Sequence, residues 1–191
     1  MHSHILSLLL LLSLSHSLAA QYCTNDNRFS EQAYFSTDQL FAVEDTVYAS
    51  ALNAAGMMQD LAMDIYAPKL SEDELEQRPF IMLIHGGGLV QGSKNNMRGE
   101  CVEFAKRGFV CSTISYRLGS ETDSGIELVL RNYRARQDAH AALRFMVDKA
   151  DELAIDTAWM FIGGISAGSN ISSDLIYTSQ AEWDDFAPGL S

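Results

Sequence analysis

The chain has 191 residues, of which 47% are hydrophobic, so it is long enough to bury a core and short enough to form one domain. Its formal net charge is −12, which argues against nucleic acids and anionic membrane surfaces as partners. The composition therefore predicts a globular domain without these two kinds of partner.

The first twenty residues, MHSHILSLLLLLSLSHSLAA, are typical of a secretory signal peptide and not of a folded domain. An apolar run from Ile5 to Leu14 precedes small residues that end at Ala20, and this run is too short for a membrane span. No Lys or Arg precedes the run, which departs from the usual signal-peptide pattern. We therefore predict a signal peptide over 1–20, a folded domain over 21–191, a secreted or periplasmic location, and no stable membrane insertion after cleavage.

The rest of the chain alternates between strand and helix patterns. TVYASALN and LAMDIYAP predict two strands with AAGMMQD as their turn, and the charged segment KLSEDELEQR is interpreted as a solvated linker. PFIMLIHGGG, FVCSTISYR and WMFIGGIS are continuous apolar runs, which are typical of buried parallel strands. Helical patterns over 95–107 and 131–153 separate these runs. The order predicts an α/β fold with a doubly wound, mostly parallel sheet.

The segment FIGGISAGSN places Ser166 in a G-x-S-x-G motif, between an apolar strand and a helical pattern over 169–179. This is the context of a nucleophile elbow, a tight strand-to-helix turn that presents a serine hydroxyl at the carboxyl edge of a sheet. Gly164 and Gly168 omit side chains that would collide across such a turn. The following helix amino terminus favours developing negative charge. Ser166 is therefore the predicted catalytic nucleophile.

A second motif, His85-Gly86-Gly87-Gly88, follows the apolar strand FIMLI. Stabilising an oxyanion needs preorganised N–H donors, and consecutive glycines let the backbone approach a substrate without interfering Cβ atoms. We predict that the donors are the N–H groups of Gly87, Gly88 and Ala167. A phosphate-binding loop is the alternative, but this loop has neither a G-x-x-x-x-G-K-[ST] nor a G-x-G-x-x-G pattern.

Together the two motifs resemble the α/β-hydrolase superfamily, and most closely its carboxylesterase and hormone-sensitive-lipase-like branches. The resemblance covers 47–179 and includes LAMDIYAP, AKRGFVCSTISYRLG and RQDAHAALRFM. It implies an α/β-hydrolase fold, hydrolysis of small-molecule carboxylic esters through an acyl-serine intermediate, and no metal or organic cofactor. Two alternatives stay open: a non-catalytic hydrolase-like binding protein, and a hydrolase of another bond, such as a peptide or a lactone.

The histidines do not complete a catalytic triad. In this superfamily the acid and the histidine follow the serine, yet no histidine follows Ser166 here. Outside the signal-like segment the chain has His85, for which we predict a structural role in the glycine loop, and His140, which we interpret as a surface or helix-packing residue. Without a general base the serine hydroxyl stays protonated and is a poor nucleophile.

We therefore expect this chain to be the amino-terminal part of a longer esterase, an incomplete domain that ends after the nucleophile helix and is inactive by itself. The WMFIGG strand is then expected to lie at an open sheet edge.

Three cysteines are present, at positions 23, 101 and 111. Cys101 lies on the predicted helix over 95–107 and Cys111 on the strand after it, so a chain reversal at Gly108 would place both sulfurs at a similar height. A disulfide between them and a pair of small buried thiols are both open interpretations. With a bridge, Cys23 would be the unpaired cysteine.

Overall fold

A computed structural model describes residues 26–179, 181 and 182; the predicted signal peptide and Cys23 lie outside this part. The elements in chain order are β1 (Leu40–Leu52), β2 (Met58–Pro68), β3 (Arg78–Ile84), α1 (Arg98–Lys106), β4 (Val110–Ile114), α2 (Ile126–Asp148), α3 (Ala150–Leu153), β5 (Ile155–Gly164) and α4 (Ala167–Tyr177). Within these described ranges, none of the helices combines the length and the apolar character that crossing a membrane would require.

The five strands form one sheet in the order β1-β2-β4-β3-β5. β1 and β2 form an antiparallel hairpin, β2 pairs antiparallel with β4, and β4, β3 and β5 run parallel. Among the described residues β5 pairs on one side only, and its Trp159 and Phe161 side chains are 40% and 43% exposed. The predicted mixed, mostly parallel α/β sheet is confirmed, and its antiparallel part is the hairpin on one edge.

Helices cover both faces of this sheet because neighbouring strand residues point to opposite sides. On one face α1 buries Cys101 in a cluster that includes Leu83 of β3. On the other face α2 and α4 contribute Ala139 and Ile171 to the larger core, which includes Met82 of the same strand. The sheet is therefore doubly wound, as the alternation of patterns predicts.

Several element boundaries differ from the sequence patterns. β1 begins at Leu40, ahead of TVYASALN, and β2 begins at Met58, inside the predicted turn AAGMMQD, because the residues of these extensions pair across the hairpin. The helix predicted over 131–153 begins at Ile126 and ends at Asp148, and α3 follows it as a separate turn after Lys149. The last strand begins at Ile155, ahead of the apolar run, because Ile155 pairs with Arg78 of β3. Backbone pairing of this kind extends a strand beyond its apolar residues, so the apolar pattern alone underestimates its length.

The interpretation of KLSEDELEQR as a solvated linker is wrong for Asp73. The Asp73 side chain is fully buried, and its carboxylate accepts a hydrogen bond from Arg78 Nε at 2.7 Å. It also forms an ion pair with Arg28 near the start of the described chain. A buried carboxylate needs such partners. Here one partner, Arg78, is the last residue of the same segment, and the other, Arg28, comes from a distant part of the sequence.

A buried ion pair joins the end of β4 to α2. Arg117 Nη2 donates to Asp138 Oδ1 at 2.7 Å, and the Arg117 backbone N–H donates to Asp138 Oδ2 at 2.7 Å. Arg117 Nη1 also donates to the carbonyl of Leu52 in β1 at 2.8 Å. Burial raises the pKa of Asp138, against the opposing effect of Arg117. The pair therefore links three elements around the carboxyl end of the sheet.

Replacing Asp138 by alanine is expected to lower the free energy of unfolding by about 3 kcal/mol, because it leaves the buried Arg117 guanidinium without its counter-charge. The matched control is Glu152→Ala, which removes an exposed ion pair with Lys149 and is expected to change stability little. Urea unfolding followed by circular dichroism measures both variants. Similar decreases in the free energy of unfolding would show that the buried ion pair contributes no more to stability than the exposed one.

Candidate active site

Ser166 occupies the turn between β5 and α4. Its backbone dihedrals are φ 54° and ψ −117°, in a region that non-glycine residues rarely adopt. Its side chain is exposed, and α4 begins at the next residue, with the N–H of Ser169 donating to Ser166 O at 2.9 Å. A strained serine at a strand-to-helix turn is the geometry of a nucleophile elbow.

The glycines on either side of Ser166 let this turn pack against the end of β3. A Cβ atom on Gly164 would lie 2.6 Å from the carbonyl oxygen of Gly168 and 2.7 Å from that of Ile84. A Cβ atom on Gly168 would lie 2.7 Å from the carbonyl oxygen of His85, and still closer to that of Ile84. No side chain fits at either position, so only glycine allows the elbow to approach the strand this closely.

The glycine loop after β3 contacts the elbow directly. A Cβ atom on Gly86 would lie 2.8 Å from the carbonyl oxygen of Ile165 and 3.2 Å from Ser166 Cβ. Gly87 and Gly88 have φ values of 109° and 62°, which turn the chain sharply away from the strand. The two sequence motifs, about eighty residues apart in the chain, therefore meet at Ser166.

Three backbone donors on these two segments have no acceptor in the part of the chain that the structure describes. Within residues 26–179, 181 and 182, no acceptor takes the N–H of Gly87 or Gly88. Ala167 is the first residue of α4, so its N–H has no partner inside the helix. Free N–H groups beside a nucleophile are what an oxyanion requires. The roles of Ser166 as nucleophile and of these three residues as oxyanion donors stay predictions.

Two residues that the motifs do not contain hold the glycine loop in place. The Tyr116 ring stacks on His85 with centroids 4.2 Å apart, and its hydroxyl donates to the carbonyl oxygen of His85 at 3.1 Å. Gly92 follows the loop, where a Cβ atom would lie 2.9 Å from the carbonyl oxygen of Gly86. The position of Tyr116 just after β4 was a usable signal, since the carboxyl ends of adjacent parallel strands meet at one edge.

His85 is tied into the loop and is not positioned as a base for Ser166. Its Nδ1–H donates to the carbonyl oxygen of Gly86 at 2.6 Å, and its buried Nε2 has no partner among the described residues. Burial lowers the pKa of His85, with the bond to Gly86 opposing, so the ring stays neutral at neutral pH. His140 lies half-buried on α2, where burial and the nearby Arg136 and Arg144 lower its pKa. In the part of the chain described, neither histidine hydrogen-bonds to the Ser166 hydroxyl.

A cavity of about 510 Å³ opens beside the glycine loop. It lies between the turn that joins β1 to β2 and the segment after β4, and its lining includes Asn53, Gly92 and Tyr116. Its volume is in the range of small-molecule sites. No cluster of three or more His, Cys, Asp or Glu side chains suited to a metal ion occurs in the described ranges.

The chain is similar to esterases in both sequence and structure. The BD-FAE family model matches residues 63–186. Esterase LipI of Mycobacterium tuberculosis is 25% identical over an alignment of 158 positions, which covers 69% of this chain and 47% of that protein. Non-reducing polyketide synthase nvfA of Aspergillus novofumigatus is 40% identical over a shorter stretch of 63 residues, which are 32% of this chain and 3% of that protein.

Among solved structures, esterase 2 of Thermogutta terrifontis in its apo form is 30% identical with a TM-score of 0.55, covering 69% of this chain and 44% of that chain. A second structure of the same esterase, phosphonylated by sarin, is 29% identical with a TM-score of 0.55, covering 69% of this chain and 43% of that chain. The chain therefore spans less than half the length of each of these relatives.

Proposed function

Because the chain belongs to the BD-FAE family of esterase-like α/β-hydrolases, we propose that it provides the nucleophile and the oxyanion hole of an enzyme that hydrolyses small-molecule carboxylic esters. The observation that carries this proposal is the contact between the glycine loop and the elbow, in which Gly86 packs against Ser166. The contact sets unpaired N–H groups beside a strained, exposed serine.

The chemistry follows from this arrangement. The Ser166 oxygen attacks the ester carbonyl, and the oxyanion that forms accepts hydrogen bonds from the N–H groups of Gly87, Gly88 and Ala167. Collapse of the tetrahedral intermediate expels the alcohol and leaves an acyl-serine, which water then hydrolyses. A general base must take the serine proton and pass it to the departing alcohol oxygen.

The base and its acid partner are proposed to lie in a longer protein of which these 191 residues are the amino-terminal part. Two observations support this. The described residues place no histidine on the Ser166 hydroxyl, since Nδ1 of His85 is bonded to Gly86 and His140 lies on α2. The esterase relatives are also about twice as long as the part that this chain matches. The 191-residue chain alone is then inactive or nearly so.

We also propose that the protein is secreted. The signal-like segment over 1–20 and its small residues ending at Ala20 support export with cleavage nearby. Amino-terminal sequencing of the protein recovered from the medium of expressing cells checks this part: a mature chain that starts near residue 21 is expected. An intact amino terminus on protein that stays inside the cell would contradict export.

A fluorophosphonate probe tests the catalytic proposal, because such reagents phosphonylate serines that a base has made nucleophilic. The structure of the Thermogutta esterase phosphonylated by sarin supports this choice of reagent. The reading frame is first followed past Ser191, and its product is treated with the probe and mapped by mass spectrometry. We expect one phosphonyl group on Ser166, which is lost in Ser166→Ala and retained in Ser173→Ala, a substitution of an exposed serine on α4.

If the reading frame ends at Ser191, the 191-residue chain is the protein to test. A label on another serine would contradict the assignment of Ser166. A folded protein that takes no label at any length would favour the non-catalytic binding protein instead.

A further inference from the structure

Two cysteine side chains meet between α1 and β4, away from the elbow. The sulfurs of Cys101 and Cys111 lie 2.7 Å apart, and both residues are 0% exposed. The structure has them as thiols. Both belong to a buried hydrophobic cluster that includes Leu83, Met97 and Ala105.

The chain reversal between the two elements holds the sulfurs together. After α1 the N–H of Gly108 donates to the carbonyl oxygen of Ala105 at 2.9 Å, and the N–H of Phe109 donates to that of Phe104 at 3.2 Å. Gly108 has a φ of 101°, and a Cβ atom there would lie 3.0 Å from the ring of Phe29. The reversal is therefore fixed by hydrogen bonds and packing, and the two thiols cannot separate without opening the core.

We propose that Cys101 and Cys111 form a disulfide bond that ties α1 to β4 when the chain folds in the presence of a disulfide oxidant. A disulfide sulfur–sulfur bond is about 2.05 Å long, so the two sulfurs need to approach by only a fraction of an ångström. The proposal is independent of the esterase function, because the two cysteines lie on α1 and β4 and belong to neither the elbow nor the glycine loop.

The bond forms by thiol–disulfide exchange with a low-molecular-weight or protein disulfide. The thiolate of one cysteine attacks a sulfur of the oxidant and releases one oxidant thiol, which leaves a mixed disulfide. The thiolate of the second cysteine then attacks the sulfur of the first cysteine in this mixed disulfide. The bond to the oxidant breaks, and the second oxidant thiol is released. Two electrons pass to the oxidant, and the two cysteine protons end on its thiols. Because both cysteines are fully buried in the fold, this exchange occurs before α1 has packed against β4.

Peptide mapping tests the proposal directly, because Lys106 and Arg107 lie between the two cysteines. Trypsin therefore separates Cys101 on peptide 99–106 from Cys111 on peptide 108–117. The full chain is exported by its host cell, unfolded with an alkylating reagent present and no reductant, and then digested. We expect the two peptides to be joined, and to appear singly and alkylated only when reductant precedes the alkylation.

Two outcomes overturn the proposal. One is recovery of both peptides alkylated without prior reduction, which means that the cysteines are buried thiols. The other is a link from either peptide to the peptide that contains Cys23. The matched controls are Cys23→Ser, which is expected to keep the 101–111 link, and Cys111→Ser, which is expected to lose it.

The thermal unfolding temperature gives a second test, because it compares oxidised and reduced forms of the parent protein and does not require a variant to fold. The bond restrains the unfolded chain, so oxidised protein is expected to unfold about 5 °C above reduced protein. The double variant with Cys101→Ala and Cys111→Ala should unfold at the same temperature with and without reductant. An equal difference in the double variant would assign the effect to another cause and overturn the stabilising role.

Discussion

Replacing Gly168 by alanine is expected to lower the free energy of unfolding by about 4 kcal/mol or more, or to prevent folding altogether. The added Cβ atom would lie 2.7 Å from the carbonyl oxygen of His85, and still closer to that of Ile84. Both neighbours are backbone atoms at the end of β3, so neither can rotate out of the way. Relief would require α4 to move off the sheet, which would disrupt the core around Ile171.

Gly99→Ala is the matched control for this substitution. Gly99 lies on α1, and a Cβ atom there would have no heavy atom within 4 Å. Alanine is the better helix former, so this variant is expected to be as stable as the parent or slightly more stable. Thermal and urea unfolding compare the two variants. If both unfold like the parent, the elbow does not pack against β3 as closely as the structure shows.

The sheet and its helices could be predicted because each buried strand carries its own signal. β4 is buried along its whole length and β3 at every position except Ile81, and both appear in the sequence as continuous apolar runs. The start of β5 could not be predicted in this way, because Ile155 joins the sheet by pairing with Arg78. Strand pairing is a contact between distant residues, and a local apolar pattern does not contain it.

The candidate active site likewise contains residues that a local sequence pattern predicts and residues that it does not. Ser166 and the glycines around it carry local signals, because a tight turn and a close backbone approach restrict the residue type at each position. Tyr116 carries no local signal of this kind, only its position just after β4: it acts through its ring and hydroxyl on His85, which lies 31 positions earlier in the chain. The burial of Asp73 could not be predicted for a related reason, since one of its two partners, Arg28, lies 45 positions away in the chain.

The strained backbone of Ser166 connects the fold to the chemistry. A non-glycine residue with φ 54° and ψ −117° costs of order 1–3 kcal/mol, and it persists only where the surrounding structure fixes it. Here the end of β3 and the glycine loop supply that constraint on one side, and α4 supplies it on the other. The fold holds the serine hydroxyl exposed before any substrate arrives, so no binding energy is used to position it.

Replacing Ser166 by alanine is expected to lower kcat for p-nitrophenyl acetate by about a thousandfold or more, in the protein that contains the base. The loss follows because alanine has no hydroxyl oxygen to attack the ester carbonyl. The oxyanion donors and the loop remain, so KM is expected to change little. Ser173→Ala is the matched control and is expected to keep the parent rate, because Ser173 lies exposed on α4 and its hydroxyl bonds to Ser169 O.

In the 191-residue chain, the same substitution is expected to leave the rate of ester hydrolysis unchanged. Without a base the Ser166 hydroxyl stays protonated, so the parent and Ser166→Ala are expected to release p-nitrophenol at equal rates near background. A serine-dependent rate in this chain would mean that a base lies within it and that the proposed longer protein is not needed for catalysis. Equal rates in a longer product that contains a later histidine would instead remove Ser166 from the mechanism. Assays of the 191-residue chain and of the longer product therefore test two assignments separately: Ser166 as the nucleophile, and a later histidine as the base.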